Sequence, residues 1–194
     1  MTTGPISPEL LIYAYSTGVF PMAEHREDAS VMWFEPERRG ILPLESFHIS
    51  HSLARVIRKG VFEVRTDTAF RDVMLNCADR KETWINDQIL DAYCRLFDLG
   101  LAHSVECWRE GGLVGGLYGV SLGSAFFGES MFSKQTNASK VALCALVKRL
   151  KAGGFTLLDT QFLTPHLASF GGVEIPQKDY LILLKKALDL KASF

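Results

Sequence analysis

The sequence predicts an α+β fold in which a mixed sheet is flanked by helices. Three successive segments with strand character, 103–109, 112–121 and 124–133, are separated by short turns that contain glycine, as expected for antiparallel neighbours. An amphipathic helix is predicted over 137–152, where apolar residues follow the i, i+3, i+4, i+7 spacing and the chain then reaches two glycines. A further apolar segment, 156–159, predicts a strand after that helix.

The N-terminal part is predicted to begin with a helix. Ser7 is a typical N-cap, and Pro8 fits the first helical position. The helix is expected to stop near Gly18. Residues 1–37 contain too few apolar side chains to fold alone, so they are predicted to form a small helical or irregular subdomain that packs on a catalytic domain of residues 38–194.

The remaining elements follow from hydrophobic period and from turn residues. Two more strands are predicted at 41–44 and 62–66. The other predicted helices are 52–59, 68–78, 86–99, 165–170 and 178–190.

The order of three antiparallel strands, a long helix and a further strand resembles the acetyltransferase-like (GNAT-like) fold. Fold resemblance does not identify function, so the chemistry must come from side chains. An acyl-CoA-dependent N-acetyltransferase would need a glycine-rich turn after strand 124–133, where backbone amides could bind the pyrophosphate. The turn 134–139 contains no glycine, which argues against this alternative.

Composition excludes several classes of protein. The formal net charge of −1 over 194 residues rules out a strongly basic nucleic-acid coat, so any RNA contact must come from local clusters of cations. The four cysteines lack the spacing of a zinc site or a disulfide framework, and His48 with His51 lacks a third ligand nearby, so we expect no metal. No apolar run approaches the roughly 18 residues of a membrane span. We expect a cytoplasmic protein.

A single carboxylate interrupts the aromatic strand 126–133. In a strand, Glu129 is expected to share a face with Phe127 and Met131. An isolated buried carboxylate is costly unless it is paired or hydrogen-bonded. Two interpretations therefore stay open: a structural acid satisfied by internal donors, and an acid that lines an apolar pocket and binds an ammonium group.

A second polar pair ends the strand predicted at 156–159. Asp159 and Gln161 are two residues apart and are expected to share a face with Leu157, where open sheets place their sites. Together with Glu129 they suggest recognition of an amine, or removal of its proton. The structural alternative is that Asp159 caps the following loop or helix.

Other candidates point to a nucleic acid. Trp84 lies at a loop-to-helix junction, where it could stack on a base or belong to the core, and Tyr93 could share that surface or pack inward. Several cations form clusters that could contact phosphates or be solvated. The clusters consist of Arg55, Arg58 and Lys59, of Arg80 and Lys81, and of Lys134 and Lys140.

From about residue 8 to about residue 185 the chain resembles the leucyl/phenylalanyl-tRNA–protein transferases. The residues that carry the resemblance are Tyr15, Gly18-Val19-Phe20-Pro21, Trp33, Pro36, Arg38, Thr83-Trp84-Ile85, His103-Ser104-Val105-Glu106, the run from Leu113 to Val120, the run from Gly128 to Ser133, Ala138-Ser139-Lys140, Asp159, Gln161, His166, Leu167 and Gly171.

The resemblance implies transfer of Leu or Phe from Leu-tRNA or Phe-tRNA to the α-amino group of a protein that begins with Lys or Arg, in the N-degron pathway of protein degradation. It implies no cofactor and no metal. A non-catalytic RNA- or degron-binding module stays an alternative.

The same resemblance implies roles for individual residues. Glu129, Asp159 and Gln161 would form the reaction centre, with Asp159 either a general base or an electrostatic clamp. The pocket for the aminoacyl side chain would consist of Phe127, Met131, Ser133, Leu146 and Leu150. The 3'-terminal adenosine of the tRNA would be bound by Trp84, Tyr15, Tyr93 and Met22. The pattern of the family differs at Met22 and at the pocket positions Leu146 and Leu150, so a roomier pocket is expected.

Overall fold

The computed structural model describes residues 4–28 and 30–194 and consists of one seven-stranded sheet between two apolar layers. The helices are α1 (Pro8–Ser16), α2 (His51–Arg58), α3 (Phe70–Ala78), α4 (Asp87–Asp98), α5 (Ala138–Ala152), α6 (Pro165–Ala168) and α7 (Gln177–Leu188). The strands are β1 (Phe20–Met22), β2 (Met32–Phe34), β3 (Arg38–Ile41), β4 (Glu63–Thr66), β5 (Ala102–Arg109), β6 (Gly112–Leu122), β7 (Ala125–Ser133), β8 (Leu157–Gln161) and β9 (Val173–Pro176).

The large sheet has the strand order β4-β5-β6-β7-β8-β3-β9 and is mixed, as predicted. Its neighbouring strands pair antiparallel except β7 and β8, which are parallel. The antiparallel run β5-β6-β7, the crossover helix α5 and the return strand β8 confirm the order of elements that the sequence predicts. The predicted strand at 41–44 is shifted, because β3 already begins at Arg38 and ends at Ile41.

Three strands were not predicted. The first two, β1 and β2, are three residues long and pair only with each other, so each is too short to show a period. The strand β9 ends in Pro176 at the edge of the sheet, where a proline is tolerated. The N-terminal segment thus contains a small sheet besides the expected helix α1.

Local signals for two helices are confirmed. The Ser7 hydroxyl accepts a hydrogen bond from the Leu10 amide (3.2 Å), which caps α1, and Gly18 beyond its end has φ +84°. On α5 the predicted apolar face is buried against the sheet in one cluster with Leu42, Phe126 and Leu158. Burial of this face fixes α5 across β5, β6 and β7.

A β-bulge in β7 changes the expected alternation of side chains. Tyr118 pairs with Ser130 and Gly119 with Gly128, so Glu129 is an extra residue without an opposite partner. Phe127 therefore belongs to the layer of α1, α3 and α4, whereas Met131 packs on the layer of α5. The prediction that Phe127 and Met131 share a face is wrong, because one inserted residue reverses the alternation beyond it.

Within the described residues, no helix is long and apolar enough to cross a membrane. All four cysteines are free thiols.

Candidate active site

A cavity lies where the parallel strands β7 and β8 separate. Their register runs from Ala125 opposite Leu157 to Phe127 opposite Asp159 and then stops, although β7 continues to Ser133. Beyond this point Gly128 and the bulged Glu129 face the cavity from one strand, and Thr160 and Gln161 face it from the other. The site is thus a gap at the carboxyl end of β8, the strand end where the sequence predicts Asp159 and Gln161.

The cavity has a volume of about 290 Å³ and is mainly apolar. Its wall combines leucines and Met131 with aromatic rings and a few polar groups. The lining residues are Phe20, Met22, Arg80, Trp84, Leu117, Tyr118, Gly128, Glu129, Ser130, Met131, Leu143, Leu146, Leu158, Thr160, Gln161, Phe162, Thr164, His166 and Leu167.

Glu129 is partly buried and is held by three neutral donors. Its Oε1 accepts hydrogen bonds from the Tyr15 hydroxyl (2.7 Å) and the Gln161 side-chain amide (2.8 Å), and its Oε2 accepts one from the Tyr93 hydroxyl (3.2 Å). The two tyrosine hydroxyls are also hydrogen-bonded to each other. The carboxylate therefore has a fixed orientation in the wall of the cavity.

Desolvation raises the pKa of Glu129 to about 7, and the hydrogen bond from Tyr15 opposes this shift. The negative charge of Asp159 raises the pKa further, whereas Tyr93 and Arg39 lower it. Burial raises the pKa of Tyr15 and Tyr93 well above its ordinary value, so both donate as neutral hydroxyls. No cation neutralises Glu129 by direct contact among the described residues.

Asp159 has a different environment, because it is fully buried and bound to an internal cation. Both of its oxygens contact Arg39, at 2.9 Å from Nε and 2.6 Å from Nη2. The Tyr180 hydroxyl (2.7 Å) and the Gln161 backbone amide (2.8 Å) donate the other two bonds. All four acceptor positions are thus occupied by protein groups, and the described lining of the cavity leaves Asp159 out.

Arg39 joins three parts of the chain at this point. It is 1% exposed, donates from Nη1 to the Gly18 carbonyl (2.8 Å), and lies between the rings of Phe20 and Tyr180, with centroids at 4.7 Å and 4.6 Å. A buried guanidinium is stable only with a partner. Removal of either Arg39 or Asp159 would therefore leave the other charge buried and uncompensated.

Gln161 connects the two acids. Its backbone amide is held by Asp159 and its side-chain amide donates to Glu129. Its φ of +56° lies in the left-handed region, which is uncommon for a residue with a side chain. The Arg39–Asp159 pair thereby fixes the turn from which Gln161 reaches Glu129.

The structure brings part of the expected aminoacyl pocket together. Met131 and Leu146 line the cavity, and Leu143 lies beside them. Phe127 and Leu150 are fully buried outside the lining, Phe127 against the Tyr15 ring (centroids 4.7 Å apart). Ser133 is exposed beyond the cavity and hydrogen-bonds to the Gln135 carbonyl and the Ser139 amide.

The residues expected to bind the terminal adenosine divide into two groups. Trp84 and Met22 both line the cavity, and the Trp84 carbonyl accepts a hydrogen bond from the Ala23 amide (3.2 Å). Tyr15 and Tyr93 instead lie behind Glu129 and are fully buried.

Of the expected phosphate contacts, Arg80 alone is part of the described lining of the cavity. Arg80 lines it and is fixed by bonds to the Cys77 carbonyl (2.8 Å) and the Ser130 hydroxyl (2.6 Å). Lys140 is near enough to His166 that its charge, added to desolvation, lowers the pKa of the imidazole. The remaining expected contacts are Lys81, Lys134 and the α2 residues Arg55, Arg58 and Lys59 at its C-terminal end.

Sequence reasoning missed Arg39 and Tyr180, the partners of Asp159. Arg39 directly precedes the apolar stretch 40–44, and a cation inside a strand segment is a usable signal for an internal ion pair. Tyr180 lies on an amphipathic helix, where nothing in the local pattern separates it from other core aromatic residues.

Comparisons with known proteins agree over almost the whole chain. A family model described as leucyl/phenylalanyl-tRNA protein transferase matches residues 41–185, and a model for the N-terminal domain of that family matches residues 4–37. Two similar curated relatives are leucyl/phenylalanyl-tRNA–protein transferases. The one from Herpetosiphon aurantiacus is 56% identical over 99% of this chain and 100% of its own length. The one from Ruegeria pomeroyi is 56% identical over 97% of this chain and 90% of its own length.

Among solved structures, the L-PGS of Bacillus licheniformis is similar with a TM-score of 0.51. The match covers 94% of this chain and 71% of that chain at 12% identity, so it concerns the fold alone. On the evidence of the family models and the curated relatives, this chain belongs to the leucyl/phenylalanyl-tRNA protein transferase family, which is a family of enzymes.

Proposed function

We propose that this enzyme transfers Leu or Phe from Leu-tRNA or Phe-tRNA to the α-amino group of a protein that begins with Lys or Arg. The aminoacyl-tRNA transfer follows from membership of the family and from the names of its relatives. We further propose that the acceptor protein begins with Lys or Arg and that the product is an N-degron.

The observation that carries the proposal is a carboxylate fixed in the wall of an apolar cavity. Glu129 has no ion-pair partner among the described residues, whereas Asp159 already has one in Arg39. A cavity with leucines for an apolar side chain and an unneutralised carboxylate for an ammonium group matches an aminoacyl ester.

In this arrangement the Leu or Phe side chain packs on Met131, Leu143 and Leu146. The donor's α-amino group binds beside Glu129, and the terminal adenine stacks on Trp84 with Met22 at its edge. Stacking of a base on an aromatic ring contributes roughly 1–3 kcal/mol. Tyr15 and Tyr93 act from behind by holding Glu129.

We assign Asp159 a positioning role. Its acceptor positions are filled by Arg39, Tyr180 and Gln161, so it acts on the site through the Gln161 turn. Phe127 and Leu150 support the wall of the cavity from the core, and Ser133 supports the turn before α5.

The transfer is a displacement at the donor's ester carbonyl. The acceptor's neutral amine attacks the carbonyl carbon, an amide bond forms, and the bond between the carbonyl carbon and the ribose oxygen breaks. The departing ribose oxygen takes up the proton that the amine nitrogen loses and becomes the free hydroxyl of the tRNA end. Because an ester is converted to a more stable amide, positioning of the reactants can supply most of the acceleration, about 7–11 kcal/mol in favourable cases. The proposal includes no metal, nucleotide or coenzyme.

The tRNA backbone is proposed to approach from the side of Arg80. Arg80 lies on the cavity, and Lys81 follows it in the chain. A second groove is lined by Val56 of α2 together with the cations Arg109 and Lys134. Lys140 and the α2 cations complete the set of proposed phosphate contacts.

Incubation with labelled Phe-tRNA and a peptide that begins with Arg tests the transfer. Label should appear in the peptide, and N-acetylation of the same peptide should abolish the product because no free amine is left. If tRNA binds but no label is transferred, the non-catalytic binding module is correct instead. Labelled acetyl-CoA in place of Phe-tRNA tests the acetyltransferase alternative, and we expect no product.

Three further assignments belong to this proposal. The sheet core is acetyltransferase-like, with β7 and β8 parallel beside a crossover helix. The chain is divided into an N-terminal subdomain of residues 1–37 and a catalytic domain of residues 38–194. A cytoplasmic setting agrees with four free thiols.

A further inference from the structure

Three residues that line the cavity each have a buried side-chain polar atom without a hydrogen-bond partner in the described part of the chain. These atoms are Tyr118 Oη, Thr160 Oγ1 and His166 Nε2. Buried polar atoms without partners are rare in proteins, and the described residues contain only one more, Gln88 Oε1. Because three of these four residues line one cavity, that cavity is the place where a ligand would supply a missing partner.

Tyr118 has the most restricted position of the three. The residue is fully buried, and its ring packs edge-on against Tyr93 and Phe70, with centroids at 5.8 Å in both pairs. Desolvation and the charge of Glu129 raise the pKa of Tyr118 well above its ordinary value, so the hydroxyl stays neutral. Core packing therefore explains the ring but not the hydroxyl.

The groups around Tyr118 identify the kind of partner. Its ring packs on that of Tyr93, whose hydroxyl donates to Glu129, and Tyr118 and Glu129 both line the cavity. The Oε1 of Glu129 accepts from Tyr15 and Gln161, whereas Oε2 accepts only the long bond from Tyr93 among the bonds described. An ammonium group carries three N–H donors and needs several acceptors, and a carboxylate oxygen with a neighbouring phenol oxygen would meet part of that need.

We propose that Tyr118 binds the α-amino group of the aminoacyl donor together with Glu129, and so helps the enzyme to select a donor with a free amine. This inference rests on the proposed function. The acceptor's amine is a poor candidate, because it attacks the ester carbonyl as a neutral group, whereas a carboxylate and a phenol oxygen suit an ammonium group that does not react. Tyr118 thus contacts the aminoacyl substrate, and its neutral hydroxyl oxygen accepts a hydrogen bond from the substrate's ammonium group.

The test compares Tyr118→Phe with wild type by using two stable donor analogues. One is 3'-phenylalanylamino-adenosine, which has a free α-amine, and the other is 3'-(3-phenylpropionyl)amino-adenosine, which lacks it. We expect Tyr118→Phe to weaken binding of the first analogue by roughly tenfold, the range for one hydrogen bond to a charged group, and binding of the second by less than twofold. Tyr13→Phe, at a residue 67% exposed on α1, is the matched control and should change neither.

The thermal midpoint separates this role from a structural one. Tyr118→Phe removes an unpaired hydroxyl and keeps the ring, so the variant should unfold at the wild-type temperature or above it. Equal weakening of both analogues, or no weakening of either, would overturn the proposal. Should the variant fail to fold, a structure of wild type with the amine analogue decides: we expect Tyr118 Oη within about 3.2 Å of the amine nitrogen, and a longer separation rejects the contact.

Binding of the two analogues separates the role of Tyr118 from the transferase function. If wild type binds both analogues and Tyr118→Phe keeps the wild-type ratio of the two affinities, the role of Tyr118 is wrong and the transferase function stands. If wild type binds neither analogue, the proposed donor is wrong and the role of Tyr118 falls with it.

Discussion

Asp159 and Glu129 are held in place by different kinds of chemical group. Asp159 is an internal counter-ion with Arg39, and Glu129 is held by hydroxyl and amide donors at the cavity. The sequence predicts that both acids contact an amine, because it shows neither the buried cation nor the tyrosines. Of these two acids, only Glu129 lines the cavity formed by the described residues.

At the residue scale, Asp159→Asn should reduce the free energy of unfolding by roughly 3–5 kcal/mol, because it leaves the Arg39 guanidinium buried without a counter-ion. Urea unfolding measures the change. Glu174→Gln is the matched control: its pair with Arg38 is 38% and 58% exposed, so the cost should stay below about 1 kcal/mol. Full stability of Asp159→Asn with lost transfer would instead make Asp159 a substrate-binding acid.

Glu129 predicts a pH dependence of stability. Its pKa in the folded protein is about 7, above the ordinary value of 4.5, so the folded state binds the proton more tightly than the unfolded state. Stabilisation from this group is therefore present below about pH 4.5 and is lost as the pH rises toward 7. Unfolding measured at pH 5 and pH 8 should show a smaller decrease in Glu129→Gln than in wild type. Glu27→Gln, on an exposed loop, should keep the wild-type decrease, and identical profiles for all three proteins would contradict the shift.

At the scale of elements, single residues set the geometry of strands and helix ends. The bulge at Glu129 carries the acid out of the alternating pattern and reverses the faces of the residues beyond it. The start of helix α3 depends on a residue far away in the chain. Ala69 at its N-terminus provides no side-chain cap. Glu106 of β5 holds the two residues that precede α3, because it accepts hydrogen bonds from the amides of Thr68 and Ala69 (both 2.9 Å).

Glu106→Ala should therefore destabilise the protein through α3. Besides the two amides, the fully buried carboxylate accepts hydrogen bonds from Thr68 Oγ1, Ser104 Oγ (2.8 Å) and Trp108 Nε1 (3.1 Å). Each buried donor left unpaired costs about 1–3 kcal/mol, so we expect a loss of at least about 2 kcal/mol in urea unfolding. Hydrogen exchange should be fastest at the first turn of α3. Glu24→Ala, in an exposed loop, should leave both measurements unchanged. If Glu106→Ala also leaves them unchanged, the hydrogen bonds to Glu106 do not stabilise the start of α3.

At the scale of the whole molecule, the site depends on the separation of β7 and β8 and on segments far apart in the chain. Arg39 binds the carbonyl of Gly18 after α1, Asp159 of β8 and the ring of Tyr180 on α7. The net charge of −1 means that any attraction for a polyanion is local to the cationic side of the surface.

That distribution predicts a salt dependence of tRNA binding. Replacing Arg55, Arg58 and Lys59 by Ala should reduce the slope of log affinity against log salt by roughly 2, because each neutralised phosphate contributes about 0.7–0.9 to that slope. Replacing Lys185 and Lys186 on α7 by Ala removes two charges elsewhere and should leave the slope unchanged. Equal slopes for wild type and the α2 variant would exclude α2 from the tRNA surface.

The sequence by itself determined the order of elements from β5 to β8, the cap of α1, the apolar face of α5 and the family. These properties depend on local spacing and on runs of residues that the chain shows directly. The tertiary structure alone decided that Asp159 pairs with Arg39, that Glu129 lies in a bulge with Tyr15 and Tyr93 behind it, and that Phe127 and Leu150 lie outside the cavity. Such contacts join residues up to about 120 positions apart, and no local period encodes which distant group satisfies a buried charge.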